Sequence, residues 1–250
     1  MLVSIITVCY NSEKTIGQTM ESVRNQTYRD FEYLIIDGGS TDGTVDMIKR
    51  YEPLFEGRLK WISESDNGIY DAINKGIAMA SGELIGIINS DDYYECDAIE
   101  IMVGHLPQNS YAVLYGEMRY LVGDVEDSVS IVSPHFLERR SMNHPSCFIT
   151  KKTYEKYGLY DTQYCCVADY DLFLRYRQQE EIVFVPVYEI IANMRTGGAS
   201  STQKAYFDLL KLQVHYGMMT KREAWTLRTK AKLSDIRRNG KTDNKQNKEN

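Results

Sequence analysis

Residues 31–43 read FEYLIIDGGSTDG, an apolar run that ends in an acidic, glycine-rich loop. Apolar residues without polar alternation are typical of a strand that is buried on both faces, so the run predicts a strand over Phe31–Ile36. Glycine, serine and aspartate in the following residues favour a turn. The stretch therefore predicts a central strand of an α/β protein, with a carboxylate at its carboxyl end.

Three more apolar runs surround this strand, at Leu2–Cys9, Leu59–Ser63 and Glu83–Asn89. Residues at helical spacing lie between and after them, including Thr44–Tyr51, and Ser12 is the expected cap of the first helix. Alternation of strand and helix with short connections implies right-handed crossovers. We predict an α/β fold with a Rossmann-like, mostly parallel central sheet flanked by helices.

The pattern loosens after residue 107. Strands are expected at Ala112–Tyr115, Val129–Val132 and Ile182–Val187, and a helix is expected at Tyr170–Gln178. These elements complete a main domain.

The remaining segments are a helical extension over residues 203–238 and a polar tail, 239–250, that we expect to be disordered. The main domain then spans residues 1–202. A chain of 250 residues with 43% hydrophobic and 26% charged residues fits one large domain with an appendage. This composition excludes collagenous, disordered and multispanning proteins.

The charge is distributed unevenly. The net charge of −6 argues against nucleic acid as a partner. Residues 203–250 nevertheless carry 12 Lys and Arg against 5 Asp and Glu, so an acidic body precedes a basic tail.

The five cysteines are odd in number and contain no CxxC pair. A disulfide framework or zinc ribbon is therefore not expected, and a reducing compartment fits. The apolar run at the N-terminus is far shorter than the ~20 residues that span a bilayer. We expect a cytoplasmic protein.

Polar residues follow all four predicted parallel strands, whose carboxyl ends meet at one edge of the sheet, where such folds bind ligands. Crowded carboxylates call for a cation, and Mg²⁺ or Mn²⁺ usually accompanies a phosphorylated substrate. A metal–nucleotide site is the leading interpretation. The strand ends carry Tyr10-Asn11, Asp37, Glu64 with Asp66, and Asn89-Ser90-Asp91-Asp92.

Two common nucleotide motifs are missing from the sequence. No GxGxxG follows the first strand, and GxxxxGK[ST] does not occur. Dehydrogenases and P-loop NTPases are therefore disfavoured.

Four segments follow one another at the predicted strand ends: SIITVCYN at 4–11, IDGGSTDGT at 36–44, ESDNGIYDAINKG at 64–76 and NSDD at 89–92. No single segment is specific alone, but the four in this order resemble family 2 glycosyltransferases of the GT-A fold. The resemblance covers roughly residues 1–200.

The resemblance implies a nucleotide-sugar-binding half over residues 1–106 and an acceptor-binding half over residues 107–202. In the first half it implies that Thr7, Tyr10 and Asn11 hold the base and ribose. Further nucleotide contacts are implied for the acids Asp37, which would hold the base, and Asp66.

The pair Asp91-Asp92 matches the Asp-x-Asp-type position of the family. The resemblance implies that Asp92 binds a divalent metal, Mn²⁺ or Mg²⁺, which bridges the donor diphosphate. It implies a sugar or ribose contact for Asp91.

The second half resembles the family more loosely. His144 lies in a segment that matches the acceptor side, and Asp169 occupies the position of the catalytic base. Ala168 stands where a Glu is frequent, so this motif is incomplete. A loop that would close over the donor matches Arg195, Gly197 and Gly198.

The function implied is transfer of a sugar, with inversion, from a nucleotide-sugar donor to a saccharide or lipid-linked saccharide acceptor (EC 2.4). A UDP-sugar is the expected donor, and surface polysaccharide or oligosaccharide biosynthesis is the expected setting. Such a step needs one base for the acceptor hydroxyl and a metal for the leaving diphosphate.

Structural interpretations stay open for several of these residues. Asp91 and Asp92 could cap a following segment, and the Asp37 loop could be only a turn. Asp169 could pair with Arg175 or Arg177, and Asp171 competes with it for the role of base.

Two other functions also stay open. A sugar-nucleotide nucleotidylyltransferase shares similar architecture but opens with a glycine-rich loop, which residues 10–14 lack. A non-catalytic nucleotide-sugar-binding protein is kept open by Ala168. The basic helix could lie peripherally on the inner face of the cytoplasmic membrane, or pack on the domain with its charges solvated.

Overall fold

The computed structural model describes residues 1–197 and 202–231. The chain forms two compact units, Met1–Gly197 and Gly198–Asn250. The predicted tail at 239–250, the last part of the predicted helix at 232–238, and Gly198 lie outside the described residues.

The first unit contains a nine-stranded sheet with helices α1 to α6. Its strands are β1 (Val3–Cys9), β2 (Phe31–Asp37), β3 (Leu59–Ser63), β4 (Leu84–Ile87), β5 (Tyr93–Tyr94), β6 (Tyr111–Val122), β7 (Val125–Ser130), β8 (Cys147–Thr150) and β9 (Ile182–Arg195). Its helices are α1 (Ile16–Arg24), α2 (Thr44–Tyr51), α3 (Ile69–Met79), α4 (Ala98–His105), α5 (Lys151–Tyr157) and α6 (Ala168–Arg177). Short 3₁₀ segments lie at Glu52–Phe55, Pro134–Phe136 and His144–Ser146.

The strand order is β3-β2-β1-β4-β8-β6-β9-β5, and β7 pairs with the outer part of β6. The first four strands are parallel, as the alternating pattern predicts. Beyond β4 the sheet is mixed, because β8 runs antiparallel to both β4 and β6 while β6 and β9 are parallel. The parallel half places its four carboxyl ends at one edge.

Strands β6 and β9 are much longer than the sequence predicts. They pair along most of their length, with register shifts around Glu117. A Cβ atom on Gly116 would overlap Ile191, so the two backbones approach closely here. The shifts break the period-two pattern, and only the first part of each strand is visible as an apolar run. The expected strand at Val129–Val132 is displaced, because β7 ends at Ser130.

Ser12 does not cap the first helix, contrary to expectation. Helix α1 begins at Ile16 with Thr15 as its N-cap residue, and no side chain caps it. The Ser12 hydroxyl instead donates to the Tyr10 carbonyl oxygen at 3.3 Å and lies 2.8 Å from the Ser90 hydroxyl. Ser12 therefore links two strand-end loops.

The second unit contains α7 (Gln203–His215) and a further helix over residues 221–231. The continuous helix predicted from residue 203 is interrupted because Gly217 adopts φ +69°, and the Met218 N–H bonds back to the Gln213 carbonyl oxygen at 2.8 Å. None of the helices in the described ranges is both long and apolar enough to cross a bilayer.

Close packing of α3 on the parallel sheet depends on Gly76. A Cβ atom there would lie 2.6 Å from Ile6 Cγ2 and 3.3 Å from Ile36 Cγ1. Ile6 is fully buried in β1, so it has little room to move aside.

We predict that Gly76→Ala lowers the free energy of unfolding by about 1–3 kcal/mol, because it overpacks the contact between α3 and β1. Urea unfolding measures this. Gly104→Ala is the matched control: it lies in α4, and a methyl group there would meet no atom beyond its own stretch of helix within 4 Å, so it should be neutral or stabilise by up to about 1 kcal/mol. Equal losses in both variants would contradict the packing argument.

Candidate active site

The Asp37 carboxylate organises the loop between β2 and α2. Asp37 is fully buried, and its Oδ2 accepts hydrogen bonds from the backbone N–H groups of Gly39 at 3.2 Å and Ser40 at 3.0 Å. The Ser63 hydroxyl at the end of β3 donates to the same oxygen at 2.6 Å. Asp37 therefore joins two neighbouring strand ends and holds the glycine-rich loop in place.

The loop after β1 is tied to this loop through Asn11. Asn11 has a left-handed backbone, with φ 51°. Its N–H donates to the Ser40 hydroxyl at 2.7 Å, and its side-chain oxygen accepts from the Thr41 N–H at 2.9 Å. These bonds leave the neighbouring Tyr10 ring 63% exposed at the edge of the sheet.

Thr7 lies deeper than Tyr10 and Asn11. It is fully buried in β1, where its hydroxyl accepts a hydrogen bond from the Tyr33 hydroxyl at 2.9 Å. Thr7 therefore supports the strand end from within the sheet.

Gly38 and Asp66 form a pair that their positions in the sequence do not reveal. A Cβ atom on Gly38 would overlap the Asp66 carboxylate and lie 3.5 Å from Tyr10 Cδ2. The other Asp66 oxygen accepts from the Gly68 N–H at 2.9 Å. The absence of a side chain at Gly38 therefore lets the Asp66 carboxylate lie beside the exposed Tyr10 ring.

Asp92 lies at the carboxyl end of β4, and the structure brings it together with Arg195 from β9. The Asp92 side chain accepts from the Arg195 backbone N–H at 3.1 Å, and the Arg195 guanidinium donates to the Asp91 carbonyl oxygen at 2.8 Å. Gly197, with φ +101°, follows two residues later. Arg195, at the start of the loop predicted to close over the donor, thus contacts both Asp91 and Asp92.

Burial raises the pKa of Asp92 to about 8, and the neighbouring Asp91 charge acts in the same direction. Hydrogen bonds from Arg195 and Asn89 offset only part of this effect. A carboxylate in this setting is stabilised in its charged form by a cation.

The side-chain oxygen of Asn89 supports a cation site at Asp92. Asn89 Nδ2 lies 3.4 Å from Asp92 Oδ2, while Asn89 Oδ1 is buried and has no hydrogen-bond partner among the described residues. Carboxylate and amide oxygens are the ligands that Mg²⁺ and Mn²⁺ accept. These residues fit a divalent metal. The sequence places Asn89 at this strand end but does not single it out as a ligand, because only the unpaired oxygen in the described residues distinguishes it.

Asp169 lies in the first turn of α6, in the second half of the main domain. It is half-buried, and its Oδ1 accepts a hydrogen bond from the Tyr70 hydroxyl of α3 at 2.9 Å. His144 lies nearby, with its Nε2 2.7 Å from the Tyr160 hydroxyl. Burial lowers the pKa of His144, and the Asp169 charge opposes that shift.

The acids of α6 have different partners. The Arg175 Nε donates to Asp171 Oδ2 at 2.8 Å, and Asp171 is buried. Arg177 forms an ion pair with Glu138 at 3.5 Å. Both arginines that Asp169 could have paired with are therefore engaged elsewhere, and Asp171 is held by its own cation.

Comparison with known proteins identifies the family. The family model "Glycosyl transferase family 2" matches residues 4–174. The chain belongs to this family. The resemblance of residues 1–200 to family 2 glycosyltransferases is thereby confirmed. The protein is a glycosyltransferase, of class EC 2.4.

Curated relatives support this membership. The chain is 35% identical over 183 residues to an uncharacterized glycosyltransferase of Mycobacterium tuberculosis, covering 69% of this chain and 68% of the relative. It is 26% identical over 220 residues to a PGL/p-HBAD biosynthesis glycosyltransferase of Mycobacterium bovis, covering 86% of each.

Solved structures confirm the GT-A fold. S. aureus TarS in complex with UDP-GlcNAc matches with a TM-score of 0.68 at 18% identity, over 85% of this chain and 65% of that one. A mannosyltransferase of Pyrobaculum calidifontis in complex with GDP-Man and Mn²⁺ matches with a TM-score of 0.66 at 16% identity, over 88% and 65%. The chain spans less than two thirds of these proteins, and 39% of a longer TarS chain.

We predict that Asp92→Asn stabilises the metal-free protein, and increasingly so as the pH rises. The native pKa of about 8 lies above the ordinary value of 3.8. As the pH rises, Asp92 therefore loses its proton in the unfolded chain before it does so in the folded protein. The free energy of unfolding of the wild type is highest below about pH 4 and falls as the pH rises to about 8.

Urea unfolding in EDTA between pH 4 and 9 measures the difference. Asp127→Asn, at an exposed position of β7, is the control and should follow the wild type. Mg²⁺ should restore stability to the wild type above pH 7 and have less effect on Asp92→Asn. Parallel pH curves for the wild type and Asp92→Asn would refute the argument.

Proposed function

We propose that the protein transfers a sugar from a nucleotide-sugar donor to a saccharide or lipid-linked saccharide acceptor, with inversion at the anomeric carbon. The observation that carries this proposal is that the acids belong to two sites built from different elements. Asp91 and Asp92 meet at the sheet edge of the first half, whereas Asp169 is held by Tyr70 in the second half. One site suits a diphosphate with its metal, and the other suits a proton acceptor.

The nucleotide binds, in this proposal, at the edge formed by the loops after β1, β2 and β3. The exposed Tyr10 ring offers a stacking surface for the base, and the Asp66 carboxylate beside it can accept a hydrogen bond from a base N–H. Asn11 lies next to the ribose. Thr7 and Asp37 serve the same site by holding the strand end and the loop from inside.

A UDP-sugar is the donor that we propose, and a GDP-sugar is the alternative. Among the structural neighbours, TarS is in complex with UDP-GlcNAc, the mannosyltransferase with GDP-Man and Mn²⁺, and GalNAc-T7 with UDP, GalNAc and Mn²⁺. These neighbours support a nucleotide diphosphate with a divalent metal.

The metal would be held by Asp92 with Asn89 beside it, while Asp91 contacts the donor sugar or ribose. When bound, Mn²⁺ or Mg²⁺ neutralises charge on the leaving diphosphate. Arg195, whose backbone N–H already contacts Asp92, would bring the start of the predicted donor loop, with Gly197, to the donor.

Asp169 acts as the general base in this mechanism. Its Oδ1 accepts from Tyr70, so we assign Oδ2 to take the proton of the acceptor hydroxyl. The acceptor oxygen then forms a bond to the anomeric carbon on the face opposite the diphosphate, whose bond to that carbon breaks. His144 lies near this base and contacts the acceptor side.

The test of the function is a panel of UDP- and GDP-sugars with Mn²⁺ or Mg²⁺, scored for release of UDP or GDP with and without saccharide acceptors. We expect release from UDP-sugars that EDTA abolishes. Pyrophosphate release from a nucleoside triphosphate would support nucleotidylyl transfer instead, and binding without release would support a non-catalytic protein.

In the same assay, Asp169→Asn should lower transfer by about 10²–10⁴-fold, because the amide cannot accept the proton. Donor affinity, measured by calorimetry, should stay within about twofold, because Asp169 belongs to α6 and not to the strand-end loops of the proposed nucleotide site. Glu180→Gln, an exposed position beyond α6, is the control. Full activity in Asp169→Asn would exclude it as the base.

A membrane surface with anionic lipids is a further partner that we propose, at the inner face of the cytoplasmic membrane. Residues 203–250 are strongly basic, and Trp225 on the helix over 221–231 is 68% exposed. A basic helix with an exposed tryptophan suits such an interface. A surface-polysaccharide pathway with a lipid-linked acceptor would place the substrate there.

We expect Trp225→Ala to reduce co-sedimentation with anionic liposomes several-fold, whereas Thr226→Ala, exposed on the same helix, should leave it unchanged. Binding of the wild type should also weaken as salt is raised. Equal sedimentation of the wild type and Trp225→Ala would argue against this role of the helix.

A further inference from the structure

Helix α3 connects the two halves of the main domain through two side chains one turn apart. The Tyr70 hydroxyl donates to Asp169 Oδ1 at 2.9 Å. Asn74 Nδ2 donates to the Tyr160 carbonyl oxygen at 2.9 Å, and the Tyr160 N–H donates back to Asn74 Oδ1 at 3.1 Å. Side chains at i and i+4 share a helix face, so Tyr70 and Asn74 both bond to the second half of the main domain.

Tyr160 restricts the position of the Tyr70 ring. The two rings are stacked, with centroids 5.6 Å apart and an interplanar angle of 16°. Tyr160 is itself held by His144 Nε2 at 2.7 Å and by the Tyr154 hydroxyl at 3.3 Å. Because Tyr70 and Tyr160 are 8% and 3% exposed, the Tyr70 hydroxyl has little freedom to turn away from Asp169.

Within residues 1–197 and 202–231, the titratable groups recorded as interacting with Asp169 are Tyr70, His144, Cys147 and Tyr160. Burial lowers the pKa of His144, which favours its neutral form, and raises the pKa of the Cys147 thiol. Burial first, and then the Asp169 charge, raises the pKa of Tyr70, so its hydroxyl stays a neutral donor. Tyr160 is the last of these groups, and Cys166 lies close to Tyr70.

We propose that Tyr70 is a positioning residue for the base Asp169, and that Asn74 keeps Tyr70 in register by anchoring Tyr160. This inference rests on the proposed role of Asp169. A hydrogen bond to an ionised carboxylate favours the charged form and fixes its orientation. Ala168, which stands where a Glu is frequent, has no polar side-chain group that could support the base. Tyr70 supplies that support instead.

The same helix also follows the proposed donor site directly. Asp66 and Gly68 immediately precede α3, and Tyr70 lies in its first turn. A contact between Asp66 and the nucleotide therefore shares one rigid element with the hydroxyl that orients the base. The arrangement ties placement of the donor to placement of the proton acceptor.

The test is Tyr70→Phe in the full-length chain, which keeps the ring stacked on Tyr160 and removes only the hydroxyl. We expect kcat to fall about 10- to 100-fold while the donor KM stays within about twofold. The acidic limb of the kcat–pH profile should also move to higher pH, because a hydrogen bond to a carboxylate favours its charged form.

Tyr176→Phe is the matched control. It removes another buried hydroxyl, which donates to the Gly158 carbonyl oxygen at 2.6 Å from the same helix as Asp169. Its pH profile should be that of the wild type. Asn74→Ala should shift the acidic limb in the same direction as Tyr70→Phe, by a smaller amount.

The outcomes separate this inference from the proposed function. An active Asp169→Asn would remove the base itself and the inference with it. An inactive Asp169→Asn with an unshifted limb in Tyr70→Phe would overturn the positioning role alone, even if kcat falls, because a merely structural role lowers activity at every pH. Thermal unfolding and UDP binding establish that each variant is folded.

Discussion

Mutual repulsion of carboxylates at one sheet edge is the constraint on which the rest of the main domain depends. The parallel strands β1 to β4 bring Asp37, Asp66, Asp91 and Asp92 to the same edge. Three of these acids have different surroundings. Asp37 is surrounded by hydrogen-bond donors, Asp66 accepts from a backbone N–H, and burial raises the pKa of Asp92.

This constraint explains why polar contacts at the edge are so densely linked. The loops after β1 and β2 are joined through Asn11 and Ser40, and Ser12 reaches the loop after β4 through Ser90. The cost of burying Asp92 is only partly offset by Arg195 and Asn89. Because a cation would offset the remaining cost of burying Asp92, its binding would stabilise the folded protein.

The two halves contribute different chemistry, and α3 is the element that relates them. Its packing on β1 depends on Gly76, and its first two turns present Tyr70 and Asn74 to the second half. A rigid helix between the nucleotide edge and the base suits a reaction in which the acceptor oxygen must approach the anomeric carbon in line.

The sequence alone determined the parallel half of the fold and the family. The helix Thr44–Tyr51 and the strand Leu59–Ser63 have the bounds that the pattern predicts, because their periodicity and flanking turn residues are local properties. The strand-end acids were also visible, since each closely follows an apolar run.

Tertiary structure decided what depends on residues far apart in the chain. The length of β6 and β9 follows from their mutual pairing across bulges, and the place of Asp66 follows from the missing side chain at Gly38. The orphaned oxygen of Asn89 and the bond from Tyr70 to Asp169, 99 residues away, exist only in the folded chain. Periodicity records which residues are buried, but it carries no information about which buried group meets which.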